Sequence, residues 1–239
     1  MSSFIIKIIA IISMLCDHAS DALIGHLTFL NIIGRIAFPL FCFQLVIGYR
    51  HTKNIKKYLF RLLLFGIISQ VPFSLFTYSF AGIFTNLNVF FTLALGLLGI
   101  YALDKIPNKW IAIVINILII LLAELIKVDY GAIGICIILC IFVFYKDKSQ
   151  KENKKDFLSV FKNNALFTLM FFILCVTRYI GSFATTDLFI VISQLLGTFF
   201  PIIFMLLYNG KKGPSIKYFF YAFYPVHLII LVILHYIII

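Results

Sequence analysis

Long apolar runs separated by short polar connectors set the pattern of this chain. A helix that crosses a bilayer needs roughly 20 apolar residues, with a range of about 17 to 25. On that measure the runs predict nine spans, at approximately 3–19, 30–49, 59–79, 87–103, 109–126, 130–145, 164–180, 188–208 and 217–238. The predicted fold is all-α, a polytopic membrane bundle of about nine (8–10) helices. No stretch is both polar enough and long enough to fold separately, so residues 1–239 read as a single membrane domain. The first span is the least regular, with a short apolar run and Asp17 at its outer boundary. Residues 80–90 leave room for a re-entrant turn. Lys7 and the apolar run after it have the outline of a signal peptide, but small residues are poorly placed for cleavage, so the segment reads as a retained span.

Proline interrupts four spans, at Pro39, Pro72, Pro201 and Pro225. Each removes a helical hydrogen bond that neighbours or water must replace. Kinked helices around a cavity are the expected result, although membrane helices also tolerate such kinks for no special purpose.

The connectors alternate sharply in charge. All basic residues except Arg35, Lys127 and Arg178 fall at Lys7, in 50–61, 105–109, 146–162 or 211–217, which the predicted spans place on one side. The positive-inside rule makes that side cytoplasmic, with the N-terminus in and the C-terminus out. Asp17, His18, Asp21, His26, Arg35, Asn86, Asn88, Lys127, Asp129, Arg178 and Asp187 then gather near the outer face. The most polar stretch, 146–162, reads as a solvated loop whose end is suited to an anionic lipid surface.

Composition agrees with a membrane protein and narrows its partners. The chain is 63% hydrophobic and 12% charged, against roughly 45–50% and 25% in soluble domains. Its net charge of +11 is spread over separate connectors, which would fragment a nucleic-acid face. Nucleic acid is therefore not an expected partner, and the lipid bilayer is. The five cysteines form no C-x-x-C pair, so disulfide and zinc readings are weak, no metal is expected, and small apolar packing residues describe them better.

Unusual polar chemistry concentrates between Ser13 and Leu64. A charge inside a span costs about 2.5–3.5 kcal/mol on insertion scales, so Arg35 is a functional candidate by default. Its donor fork can hold an anion or a developing negative charge; an internal salt bridge to Asp17 or Asp21 is an equally compatible role. His18 can pass protons near neutrality, and a carboxylate can fix its tautomer. Adjacent helical positions diverge by about 100°, which leaves Asp17 and Asp21 both open as its partner. A polar helix end at the interface is the plainer account of the pair. Arg50, His51, Lys57 and Arg61 suit the phosphates of a cytoplasmic donor such as coenzyme A, or serve only as a positive-inside loop. His227 follows Pro225 on a span, where it either lines a path or packs with its ring bonded to a carbonyl. Asn86 and Tyr130 carry weaker signals. Asn116 and Glu124 are read as polar groups facing the bundle interior.

Several of these segments resemble one family. Asp17-His18, G-R-I-A-F-P-L-F at 34–41, R-H-T-K-N at 50–54, Y-L-F-R-L at 58–62, S-Q-V-P-F at 69–73, N-V-F-F-T-L at 88–93 and Y-P-V-H at 224–227 are similar, in order, to the TraX family. The resemblance implies a relation to multi-pass acyltransferases that use coenzyme A thioesters and acylate extracytoplasmic sugars and peptides; the family's namesake acetylates the N-terminus of conjugative pilin. It further implies His18 as the catalytic histidine, Asp17 as its companion and Arg35 as the supporting polar group. The function expected on this basis is transfer of an acyl group, acetyl in the first instance, from acetyl-CoA to an extracytoplasmic peptide or glycan acceptor. The setting would be a bacterial cytoplasmic membrane, with Asn86, Arg178 and His227 as acceptor-side residues. A small-solute or lipid transporter that uses Asp17, His18 and Arg35 as an ion relay, and a non-catalytic accessory protein, are the alternatives.

Overall fold

The computed structural model describes residues 1–24, 28–82, 86–146, 164–180, 182, 187–214 and 217–238. The described elements are helices: α1 (Ser3–Ala19), α2 (Thr28–Gly34), α3 (Ala37–His51), α4 (Ile55–Ala81), α5 (Val89–Lys105), α6 (Lys109–Leu125), α7 (Gly131–Phe144), α8 (Ala165–Tyr179), α9 (Leu188–Phe199), α10 (Pro201–Leu206) and α11 (Lys217–Ile238). A π turn at Ser20–Ile24 prolongs α1. Among the described residues, five stretches are long and apolar enough to cross a membrane: Ser3–Leu23, Phe29–His51, Ile55–Phe80, Leu188–Leu206 and Tyr218–Ile237. The chain is a polytopic helical membrane protein. His26, the middle of the 80–90 segment and the 147–163 loop lie outside the described residues.

The prolines divide into two kinds. Pro39 lies in the first turn of α3, and Pro201 opens α10. In such positions a missing N–H costs little. Pro39 nevertheless fixes where the second predicted span breaks. Its ring disfavours helical geometry at the carbonyl four residues earlier, that of Arg35, and the chain turns at Arg35–Ile36 between α2 and α3. Pro72 and Pro225 instead sit inside the continuous helices α4 and α11.

The chain divides into two compact units. The first comprises Met1–Gln44 and Cys140–Lys217. Its core joins Ile6, Ala10, Leu40, Phe43, Phe167 and Phe171, all fully buried. Phe43 meets Tyr145 and Tyr208 edge-on at 5.0 and 5.5 Å. The start of α1 is tied to the connector after α10, since Ser3 N and Phe4 N donate to the carbonyls of Lys211 and Lys212 at 2.8 and 3.1 Å. Those bonds satisfy amide groups that a helix start otherwise leaves without partners.

The second unit comprises Leu45–Leu139 and Tyr218–Ile239. α5 packs on α4 and on α6. Small residues set the closeness of these contacts: the Asn116 amide donates to the Gly99 carbonyl at 3.3 Å, and a Cβ on Gly99 would stand 2.6 Å from its oxygen. Asn116 thus faces inward as expected. Glu124 does not. It is exposed, and its Oε1 accepts from Ala132 N at 2.7 Å, because the start of α7 offers unpaired amides and a favourable dipole end for a carboxylate.

Candidate functional site

The first unit brings Asp17, His18 and Arg35 together. Asp17 and His18 occupy the last turn of α1, and Arg35 sits in the turn that Pro39 imposes after α2. An Arg35 Nη lies 3.9 Å from Asp17 Oδ1, with the two side chains 24% and 16% exposed. The His18 imidazole is half-buried and within electrostatic range of the Arg35 guanidinium. Asp17 thus balances part of the guanidinium charge across a long ion pair.

Asn31 organises the cluster, and the sequence reading had missed it. Its Nδ2 donates to Asp17 Oδ1 at 3.2 Å and to Asp21 Oδ1 at 3.1 Å, while Ser20 Oγ donates to its Oδ1 at 3.0 Å. One amide therefore spans two carboxylates that would otherwise repel each other. Asp17 and Asp21 reach it together because residues four apart share a helix face, and the π turn begins between them. Its signal in the sequence was its spacing, four residues before Arg35 inside an apolar span.

Two glycines let the backbone close around these groups. A Cβ on Gly34 would fall onto the Asp17 side chain. Gly197 brings α9 against α2, where a Cβ would lie 2.5 Å from the Ile32 carbonyl oxygen and 3.3 Å from Arg35 Cβ. Tyr179 and Thr198 share a buried 2.8 Å hydrogen bond that holds α8 to α9. Arg178 belongs to the same unit and lies over the Tyr179 ring at 5.7 Å.

The remaining candidates belong to the second unit. Arg50, His51 and Lys57 are exposed, and His51 Nδ1 lies 2.8 Å from the Ile47 carbonyl. Arg61 is half-buried above the Tyr58 ring at 5.5 Å and beside the Tyr221 hydroxyl. Its Nε is buried without a hydrogen-bond partner among the described residues. Asn86 contributes its carbonyl, which accepts from Gln70 Nε2 at 2.9 Å. His227 is buried, with Nδ1 2.8 Å from the Phe223 carbonyl and its ring stacked on Phe223. That is the packing arrangement weighed for it from the sequence.

Comparison with known proteins places the chain in a wider setting. The family model described as TraX protein matches residues 2–235. The chain is 32% identical over 244 residues to the probable fimbrial assembly protein FimC, serogroup H1, of Dichelobacter nodosus, covering 96% of this chain and 94% of that protein. It is 28% identical over 222 residues to an uncharacterized protein of Rickettsia prowazekii (strain Madrid E), covering 90% and 83%. No solved structure matches it.

Proposed function

The chain belongs to the TraX family, and we propose that it is a membrane-embedded acyltransferase. It would move an acyl group, acetyl in the first instance, from acetyl-CoA to an amine or hydroxyl of an extracytoplasmic peptide or glycan. The observation that carries this reading is the half-buried group in which Asn31 holds Asp17, Asp17 faces Arg35, and His18 lies within electrostatic range of Arg35. A relative named as a fimbrial assembly protein makes a surface peptide a reasonable acceptor class.

The bound donor would supply an acyl carbonyl activated as a thioester. The His18 imidazole would take the proton of the acceptor amine or hydroxyl as that group attacks the thioester carbonyl, and would pass it to the departing coenzyme A thiolate as the carbon–sulfur bond breaks, a contribution typically of about 10²–10⁴ in rate. Arg35 would face the carbonyl oxygen as negative charge develops there. Asp17, held by Asn31, would keep the guanidinium in place. On the donor side Arg61 fits a phosphate group best, since it combines a half-buried guanidinium with a buried N–H that has no partner among the described residues. Arg50, His51 and Lys57 are exposed near it in sequence and would add charge to the approach. Arg178, in the same unit as His18 and Arg35, is the group proposed for the acceptor side.

The proposed setting is a bacterial cytoplasmic membrane, with the N-terminus inside. The tie between α1 and the Lys211–Lys212 connector supports a common side for those two basic segments. Purified protein in lipid nanodiscs should bind coenzyme A and transfer radiolabelled acetyl to a peptide or glycan from the cell envelope. Substrate-dependent proton flux without coenzyme A binding would overturn the proposal in favour of transport.

A further inference from the structure

Arg61 is the last charge before a long uncharged stretch of the chain, which has no further charged residue until Asp104. The rest of α4, residues 62–81, rises about 30 Å at 1.5 Å per residue and so matches a hydrocarbon core of about 30 Å. Arg61 therefore stands at head-group level. Arg50, Lys53, Lys56 and Lys57 precede it, with no acidic residue among them.

The side chain is built into the second unit rather than trailing from it. Its guanidinium lies 5.5 Å from the centre of the Tyr58 ring and beside the Tyr221 hydroxyl. Tyr58 is held against α3, where a Cβ on Gly48 would stand 2.8 Å from the phenol oxygen. Tyr221, on α11, is stacked on Phe65 at 4.8 Å and on Phe90 at 6.0 Å. Aromatic faces and a neutral hydroxyl thus fix the guanidinium, and none of them carries a negative charge. Among the described residues no carboxylate lies within ion-pair distance of Arg61, and its buried Nε–H meets no acceptor. A half-buried cation and a closed-off N–H both cost free energy when uncompensated. An anion would compensate both, and the planar fork fits a phosphate.

The surroundings decide which phosphate. Lys57, Arg61, Leu64, Ile68 and Leu75 share one flank of α4, and all of them except Arg61 are fully exposed. α11 runs beside α4 in the same direction, since Phe65 meets Tyr221 near one end and Phe80 meets His235 at 4.6 Å near the other. Ile229 and Tyr236 follow Tyr221 along α11 at about two and four turns and are exposed as well. The guanidinium therefore heads an apolar seam that continues to Ser79, 3.4 Å from the Tyr236 hydroxyl, about 27 Å farther along α4. A soluble anion would use only the charge. An amphiphile with a phosphate at one end and hydrocarbon at the other matches the charge and the seam together.

We propose that Arg61 holds the phosphate of an acidic phospholipid in the leaflet on its side of the membrane, with an acyl chain along the seam between α4 and α11. The donor phosphate proposed for the same guanidinium would then have to displace the lipid. That consequence rests on the acyltransferase reading, and the lipid site itself does not.

For the test, the full chain is released from nanodiscs of equal phosphatidylglycerol and phosphatidylcholine, and the first retained lipid is identified by native mass spectrometry. Phosphatidylglycerol should exceed phosphatidylcholine about tenfold on the parent and fall to near parity on Arg61→Gln. Lys56→Gln, which removes an exposed charge from the same helix start, should stay within about twofold of the parent. Glycerophosphoglycerol at about 1 mM, the same head group without tails, should leave the lipid in place. Equal loss in both variants, parental preference in Arg61→Gln, or displacement by the free head group overturns the proposal. Should Arg61→Gln fail to insert, Arg61→Lys keeps the charge without the fork, and parental preference there overturns it too. Coenzyme A is measured separately: it should bind in phosphatidylcholine nanodiscs, and phosphatidylglycerol should weaken that binding severalfold. Binding that phosphatidylglycerol leaves unchanged overturns the competition. Coenzyme A that binds in neither lipid defeats the acyltransferase reading, while the lipid site stands on the retention result.

Discussion

The Asn31 amide nitrogen donates to the Asp17 carboxylate at 3.2 Å while it also donates to Asp21 at 3.1 Å. It keeps two like charges on one helix face and leaves Asp17 turned toward Arg35. Asn31→Leu retains the volume and removes both donors. Hydrogen bonds to charged groups contribute about 1.5–3 kcal/mol each, so the variant should lose roughly 2 kcal/mol or more of stability. Acyl transfer per folded molecule should fall at least tenfold. Thermal unfolding and single-preparation kinetics check both, and parental turnover would show that Asn31 does not position Asp17.

Gly34→Ala tests the same contact from the other side. Its Cβ would occupy the space of the Asp17 side chain, so either α2 shifts or Asp17 turns away from Arg35, at a cost of about 1–3 kcal/mol. Gly82→Ala is the control. Gly82 caps α4 at φ 64° in open space, so the change should cost about 1 kcal/mol of backbone strain and leave turnover intact. Equal turnover in the two variants would argue against a catalytic need for the Asp17 position.

How these glycines and Asn31 escaped the sequence reading has a physical basis. The spans were legible because a bilayer demands long apolar helices: α8 and α11 lie within about one residue of the predicted 164–180 and 217–238. Arg35 and Asp17 were legible as charges out of place. Asn31 was hidden because an uncharged amide stands out little in an apolar run, and its meaning lies in which carboxylates it reaches. Glu124 was misread because an intramembrane carboxylate suggests the interior, whereas here the open end of α7 accounts for it.

Asp104, just beyond the predicted 87–103 span, should make the unfolding temperature depend on acid. Hydrogen bonds from Lys105 first, and from the Tyr49 hydroxyl at 2.8 Å, hold its carboxyl below the usual range. A carboxyl lowered on folding binds fewer protons folded than unfolded. Its contribution is complete above the unfolded value of about 3.9 and is lost as pH falls through the folded value. The unfolding temperature should therefore decline below about pH 4, and Asp104→Asn should flatten part of that decline. Superimposable acid limbs for parent and variant would remove Asp104 from the account. Lys105 is fully exposed and contributes little by itself, so Tyr49→Phe should reproduce more of the effect than Lys105→Gln.

Arg35→Lys separates charge from geometry. Lysine retains the charge opposite Asp17 but presents a single point rather than a planar fork. The variant should insert and unfold near the parental temperature while losing most of its turnover. Parental activity at normal expression would leave Arg35 as a charge partner of Asp17 and withdraw its role toward the carbonyl oxygen.

His18→Gln distinguishes chemistry from architecture most sharply. Glutamine has similar reach and can donate and accept hydrogen bonds, but it cannot carry a proton at neutral pH. A half-buried histidine that only packs at the end of α1 should tolerate the change. A general base should not, and acyl transfer should fall by about 10²–10⁴ while coenzyme A affinity stays within about twofold. Both must be measured on one preparation, because a folding defect lowers both together and loss of proton transfer lowers only turnover. His227→Gln provides the contrast. With Nδ1 at the Phe223 carbonyl and its ring stacked on Phe223, that histidine should affect stability more than rate. If His18→Gln transfers acyl groups within a few-fold of the parent, His18 is architectural, and His51, exposed at the end of α3, becomes the next histidine to test as the base.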